Sequence, residues 1–175
     1  MNQPVRAVLV ALAAAVVALV VVAPGTADTS GSETFKGVIV TSGSSGDRVV
    51  VSSMVLAKGA FDGTGRLVEV PNLPGDPDNV SRDDLVFSEG TIHIVSTTLD
   101  FSFSLNPQSC LFSETLQQTG EVVGGTGQFA AASGSSAATV TGKGILRRNA
   151  DGSCSFEQTA LHEVDMSASS GTLSF

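Results

Sequence analysis

The chain has 175 residues, 17 Asp and Glu against 9 Lys and Arg, a net charge of −8, and no Trp or Tyr. Such an acidic surface repels phosphate backbones and anionic lipid, which argues against nucleic acid or a membrane surface as partner. Without Trp and Tyr the chain lacks the amphipathic rings that dominate protein interfaces, and its nine Phe, having no polar handle, belong in a core.

Arg6 precedes an unbroken apolar run from Ala7 to Ala23, which Pro24 and Gly25 end; small residues stand at Gly25 and Ala27 just before Asp28. A charged start, an apolar middle and small residues two apart predict a helical signal peptide over residues 1–27, cut after Ala27. The run is about 17 residues, short for the ~30 Å hydrocarbon core, and no basic cluster follows it. No Cys follows the small residues to take a lipid. The expectation is a secreted protein with no lasting membrane anchor, an irregular mature N-terminus over 28–33 and a single domain over 34–175. In an exported chain, the two cysteines Cys110 and Cys154 predict a disulfide. Closing a loop of about 45 residues stabilises by roughly 4 kcal/mol on the chain-entropy account.

Beyond residue 33 the sequence alternates, and Val, Thr, Ser and Gly are abundant, the pattern of strands and tight turns. Strands are expected at 34–40 (TFKGVIV) and 47–57, then a short one ending in LVEV at 67–70. Residues 71–84 hold three Pro and four Asp and read as an exposed loop. Further strands are expected at 85–88, 90–96 and 99–105. After the turn Asn106-Pro107-Gln108-Ser109 come strands at 110–122, 137–148 and 154–167, with a Gly-rich connection at 123–134. Asp151-Gly152 is a hairpin signal, and SGTLSF adds a last short strand. Seven to nine strands with turns every 8–15 residues suit a sandwich or a closed up-and-down barrel. Each cysteine follows a turn, and strands 110–122 and 154–167 run the same way, so both cysteines are expected at one end of the domain.

Residues 120–134 read GEVVGGTGQFAAASG. Gly124, Gly125, Thr126, Gly127, Phe129, Ala132 and Gly134 closely resemble, in register, a Gly-Gly-Thr-Gly-x-Phe-x-x-Ala-x-Gly stretch shared by dirigent proteins and allene oxide cyclases. ATVTGKGIL resembles the following barrel strand of that superfamily, and KGAFDGTGRLVEV resembles it more loosely. The resemblance implies an all-β fold, an eight-stranded antiparallel up-and-down barrel around an apolar cavity, with Phe129 plugging one end. Plant members steer radical coupling or cyclise an unstable epoxide, and family members often form dimers or trimers, so a homo-oligomer is implied. The chain looks most like the exported bacterial barrels of this group, whose role is unknown. The motif builds a loop and carries no catalytic residue, and the acidic and Arg residues on the early strands of dirigent proteins have no counterpart in TFKGVIV.

No nucleophile elbow Gly-x-Ser-x-Gly occurs, and GTGQFA lacks the third glycine of a dinucleotide loop. The only histidines, His93 and His162, give no metal spacing. The acidic stretch 76–84 fails the EF-hand template, with Val80, Ser81 and Phe87 at its fifth, sixth and twelfth positions. The terminal Phe175 is a feature of outer-membrane barrels, but the aromatic girdles those barrels need are missing. Neither a cofactor nor a metal is expected.

Strand parity is more informative. The even residues of 110–118 and of 154–166 are mostly apolar and are expected to face inward. Glu114, Gln118, Gln158 and His162 then interrupt that face. His93, opposite in parity to Ile92 and Ile94, is assigned to the outside. Buried polar groups of this kind pair with one another or meet a cavity. Two functions follow: a barrel that binds a small apolar ligand or serves as a stable extracellular module, with Gln118 and Gln158 as contacts, or a cyclase or isomerase with Glu114 and His162 as an acid–base couple.

Overall fold

A computed structural model describes residues 29–43 and 46–175. The signal peptide expected over 1–27 and its cut after Ala27 lie outside the described residues. Eight strands follow in chain order: β1 (Ser30–Ser42), β2 (Val49–Gly59), β3 (Gly63–Val70), β4 (Val80–Phe87), β5 (Gly90–Asn106), β6 (Leu111–Gly125), β7 (Ser133–Ile145) and β8 (His162–Ser174). Each pairs antiparallel with the next, and β1 closes on β8 from Ser30↔Ser174 to Ser42↔His162. The fold is the expected eight-stranded antiparallel up-and-down barrel, closed all round except along part of β2 and β3.

One end of the barrel is solid. Phe61 from the β2–β3 turn, Phe87 at the end of β4, Phe129 from a 3-10 turn over Gly127–Phe129, and Phe175 after β8 meet edge to face, with centroids 4.9–6.4 Å apart. They pack on Phe35, Val55, Leu85, Ile92 and Leu173 to form the main core. Such T-shaped contacts suit the ring quadrupoles. Glu33 is buried in the same end, accepting the backbone N–H of Lys58 at 2.7 Å and of Phe61 at 2.8 Å. Its carboxylate thereby fixes the β2–β3 turn that delivers Phe61.

The other end carries the disulfide. Cys110 in the β5–β6 turn and Cys154 in the long β7–β8 connection are bonded, 5.5 Å apart at Cα. Both cysteines therefore sit at one end, as expected. A satellite core of Cys110, Phe112 and Leu146, with Leu105, Cys154 and Ala160 against it, holds the 146–161 arm to the barrel rim.

SGTLSF continues β8 and is not a separate strand, and the expected connection 123–134 shrinks to 126–132 as β6 and β7 extend into it. Four further boundaries differ from the structure, each for a local reason. Residues 30–33 are strand and not irregular, because Glu33 is anchored by three backbone N–H groups, Thr34 supplying the third. Residues 80–84 belong to β4 and not to the loop, because Asp83 turns into the barrel while Asp84 turns out to His93. The separate strands 90–96 and 99–105 are one strand, β5, carried through by a bulge at Leu99, between Thr98 and Asp100, that resets its parity. Residues 154–161 form part of the arm, held by an isolated bridge between Arg148 and Cys154, and β8 starts at His162.

The wall has one weak seam. β1 and β2 share ten register pairs, but β2 and β3 share three, from Val55↔Gly65 to Ala57↔Gly63. Toward the disulfide end these two strands part, and Arg48 reaches across the gap to Glu69.

Candidate functional site

The half of the barrel below the Phe plug is hollow. A cavity of about 540 Å³ opens toward the disulfide end and the β2–β3 seam. Its walls are chemically divided. Phe35, Ile39, Val55, Leu67, Leu85 and Ile94, from β1 to β5, make an apolar side. The β6–β8 side adds Gln118, Ser136, Ser167 and Ser169 among Leu116, Ala138 and Val140. The mouth carries five carboxylates, Glu69, Asp83, Glu114, Glu163 and Asp165, with Arg48 and Arg82.

Register brings the acids together. Glu114 on β6 lies across from Gly142 on β7, and Gly142 across from Asp165 on β8, so the three form one inward row. A Cβ on Gly142 would lie 2.6 Å from Asp165 Oδ1 and 2.7 Å from Glu114 Cγ, so glycine leaves the space both carboxylates use. Glu163, two residues before Asp165, faces the same way. One oxygen from each of Glu114, Glu163 and Asp165 lies within 4.8 Å of the other two, a geometry that could hold a cation. Across the seam, Glu69 and Asp83 are register partners on β3 and β4.

Donors are scarce there. Arg48 binds Glu69 and stands 3.5 Å from both Glu163 Oε2 and Asp165 Oδ2. Arg82 is engaged by Asp76, through Nε at 2.7 Å. Glu114 has no ion-pair partner among the described residues, and Asp165 Oδ1 is buried without a hydrogen-bond donor. The protons respond accordingly. Burial, then repulsion from Glu163, pushes the Asp165 carboxyl up to about 7 against the pull of Arg48. Burial, then repulsion from Glu69 and Asp84, pushes Asp83 up to about 6. Glu114 is raised by burial and by Glu163. Arg48 is raised despite its partial burial, held by its hydrogen bond to Glu69 and the charges of Glu69, Glu163 and Asp165. Desolvated like charges share protons in this way.

The structure places Glu114 and Gln118 on the cavity wall; Gln118 donates to Thr98 Oγ1 at 3.1 Å. It does not bring His162 or Gln158 there. His162 opens β8 on its outer face, exposed, and Gln158 is exposed in the 146–161 arm. The reason is register: β7 and β8 pair even with odd residues, so Glu163, Asp165, Ser167 and Ser169 face inward and His162 and Met166 outward. The Glu114–His162 couple is therefore not formed. His93 lies outside the barrel, its Nδ1 2.6 Å from Asp84 Oδ1. Cys110 and Cys154 form the disulfide already described.

The glycine-rich stretch serves the plug. Gly124 and Gly125 end β6, Thr126 accepts the Thr91 N–H at 3.1 Å, Gly127 opens the 3-10 turn, and Gly134 lies at the start of β7. Gly127 has φ +60°, and a Cβ there would sit 2.2 Å from the Glu89 carbonyl oxygen, so only glycine fits. Phe129 is fully buried and Ala132 nearly so. Glu69, Asp83, Glu163 and Asp165 were not visible as site residues in the sequence. The antiparallel register of β8 on β7 is the signal that locates the last two, and the 16-residue arm between those strands hides it.

No protein-family model, curated protein or solved structure matches the chain. Fold and site together define a small closed β-barrel with a one-ended internal cavity and an acidic mouth.

Proposed function

We propose that the protein is a secreted small-molecule-binding barrel, holding a ligand whose apolar body lies against Phe35, Val55, Leu67, Leu85 and Ile94. The cavity of about 540 Å³ carries this reading, since it falls in the range of small-molecule sites and joins an apolar wall to a few convergent polar groups. The disulfide suits an oxidising compartment. The resemblance of residues 124–134 to the dirigent and allene oxide cyclase stretch supports a barrel that holds a guest. The test is fluorescence of the neutral apolar probe N-phenyl-1-naphthylamine. Saturable enhancement is expected, and Leu116→Trp, which fills the cavity from β6, should abolish it. Enhancement that survives Leu116→Trp would place the probe on the surface and overturn the reading.

One observation favours a second reading, an isomerase or cyclase acting by proton transfer. Asp165 faces the cavity with a carboxyl that titrates near neutrality, where a general acid or base is most effective. With His162 outside, Asp165 and Glu114 would be the acid–base groups. A guest extracted before and after prolonged incubation and shown by NMR to be the same isomer would count against turnover.

A further inference from the structure

The mouth of the cavity holds more carboxylates than cations. Ionised carboxylates only accept hydrogen bonds, so five of them at a mouth with two Arg, of which Arg82 is engaged by Asp76, leave a deficit of donors as well as of positive charge. Two of the oxygen-bearing groups show it directly: Asp165 Oδ1 is buried with no donor, and Glu114 has no ion-pair partner among the described residues. Both line the cavity that the apolar wall shapes.

The geometry of the three acids is specific. Three oxygens that lie within 4.8 Å of one another have a common centre no more than about 2.8 Å from each. That is the distance of a charge-assisted N–H···O hydrogen bond, typically 2.7–2.9 Å. An ammonium carries three donors on one compact charge. Gly142, between Glu114 and Asp165, leaves the row free of any side chain that would fill the space.

Resting on the cavity's role as a binding site, we propose that its ligand is a cationic amphiphile, an alkylamine or arylalkylamine protonated at neutral pH. Its ammonium is held by Glu114, Glu163 and Asp165, and its apolar body runs inward toward Phe35, Leu67 and Leu85. The ammonium supplies the donor that Asp165 Oδ1 lacks and neutralises a cluster that is otherwise quietened by protons and by Arg48. A carboxylate-headed ligand would meet the same five acids and be repelled. A neutral headgroup such as a hydroxyl could give Asp165 Oδ1 one donor but would leave the charge of the cluster uncompensated.

The test is displacement of N-phenyl-1-naphthylamine from the full mature chain at pH 8 by decylamine, 1-decanol and decanoate, which share one alkyl tail. Decylamine is expected to compete at least tenfold more tightly than decanol, with decanoate weakest. In Glu114→Gln and in Asp165→Asn the ratio of decylamine to decanol should fall at least threefold. Both variants remove a buried charge and should fold, as the unfolding midpoint would show. Gly142→Ala, which crowds the same two carboxylates without changing any charge, should lower the ratio as well. Equal competition by decylamine and decanol, or tighter competition by decanoate, overturns the proposal. So does reversal of decylamine binding by micromolar Ca²⁺ or Zn²⁺, which would make the cluster a metal site. Failure of the naphthylamine probe to bind at all would instead remove the binding reading on which the proposal rests.

Discussion

At the scale of single residues, two buried acids do opposite things. Glu33 is fully satisfied: three backbone N–H groups converge on it at 2.7–3.1 Å. Glu33→Ala would orphan those donors and should cost about 3 kcal/mol, read as a shift in the denaturant midpoint. Asp165 is the reverse case, a carboxyl raised to about 7, as Asp83 is to about 6. The folded state therefore holds these protons more tightly than the unfolded chain, whose Asp groups titrate near 3.8. The stability this confers is full below about pH 4 and is lost as pH rises through 6 and 7. The unfolding midpoint should fall between about pH 5 and pH 8, and Asp165→Asn should flatten that slope and raise the midpoint at the alkaline end. Asp62, Asp76 and Asp151, held below the usual carboxylate range by hydrogen bonds from Lys58, Arg82 and Ser153 respectively, act in the separate window below that pH.

At the scale of elements, the 146–161 arm is the piece most dependent on the disulfide. It carries no named strand, one isolated bridge and the bond from Cys154 to the β5–β6 turn. Cys110→Ser with Cys154→Ser should cost roughly 2–5 kcal/mol. Limited proteolysis of that variant should cut first within 146–161 while β1 to β7 stay protected; a first cut elsewhere would show that the barrel itself depends on the bond. The arm also explains what sequence could and could not show. On β6, inward parity was legible from Cys110, Phe112 and Leu116, and it carried Glu114 and Gln118 with it. On β8, sixteen irregular residues separate the strand from β7, so parity counted from Cys154 arrives in the wrong phase and selects His162 in place of Glu163 and Asp165. The apolar Met166 reinforces the error, because on this strand the polar row is the inner one. Asp83 was hidden for a related reason: its neighbours Asp76 to Asp84 have a loop's composition, and only pairing, of Val80 to Asp84 with β5 and of Arg82 to Asp84 with β3, makes residues 80–84 strand.

At the scale of the whole molecule, the barrel divides its length between stability and a void. The plug end holds the core, and its keystone is Phe129 on a turn that needs glycine at 127. Phe129→Ala should cost roughly 3–5 kcal/mol, seen in thermal unfolding, because three other rings lose their contact with it at once. Turn spacing alone left a sandwich and a closed barrel open, and the resemblance carried by residues 124–134 pointed to the barrel, since a motif that builds a loop also places the strands on either side of it. The cavity was only half legible, because its emptiness depends on Gly37, Gly142 and small Ser side chains facing inward, and absent volume leaves little mark on hydrophobic periodicity.

The parting of β2 from β3 has a consequence for how the protein survives at high concentration. Beyond Val55, β2 is hydrogen-bonded on one side only, and Val49, Val50 and Val51 are exposed there, in a run from Val49 to Val55 with no charge. A bare valine-rich backbone is a template on which another chain can add as a strand. Arg48, at the head of that run and clasped to Glu69, guards it with a charge held across the gap. Colloidal lifetime therefore hangs on the same side chain that faces the acids of the mouth. Arg48→Ala should shorten the lag of light scattering under heating, and Val50→Lys in that background should restore it.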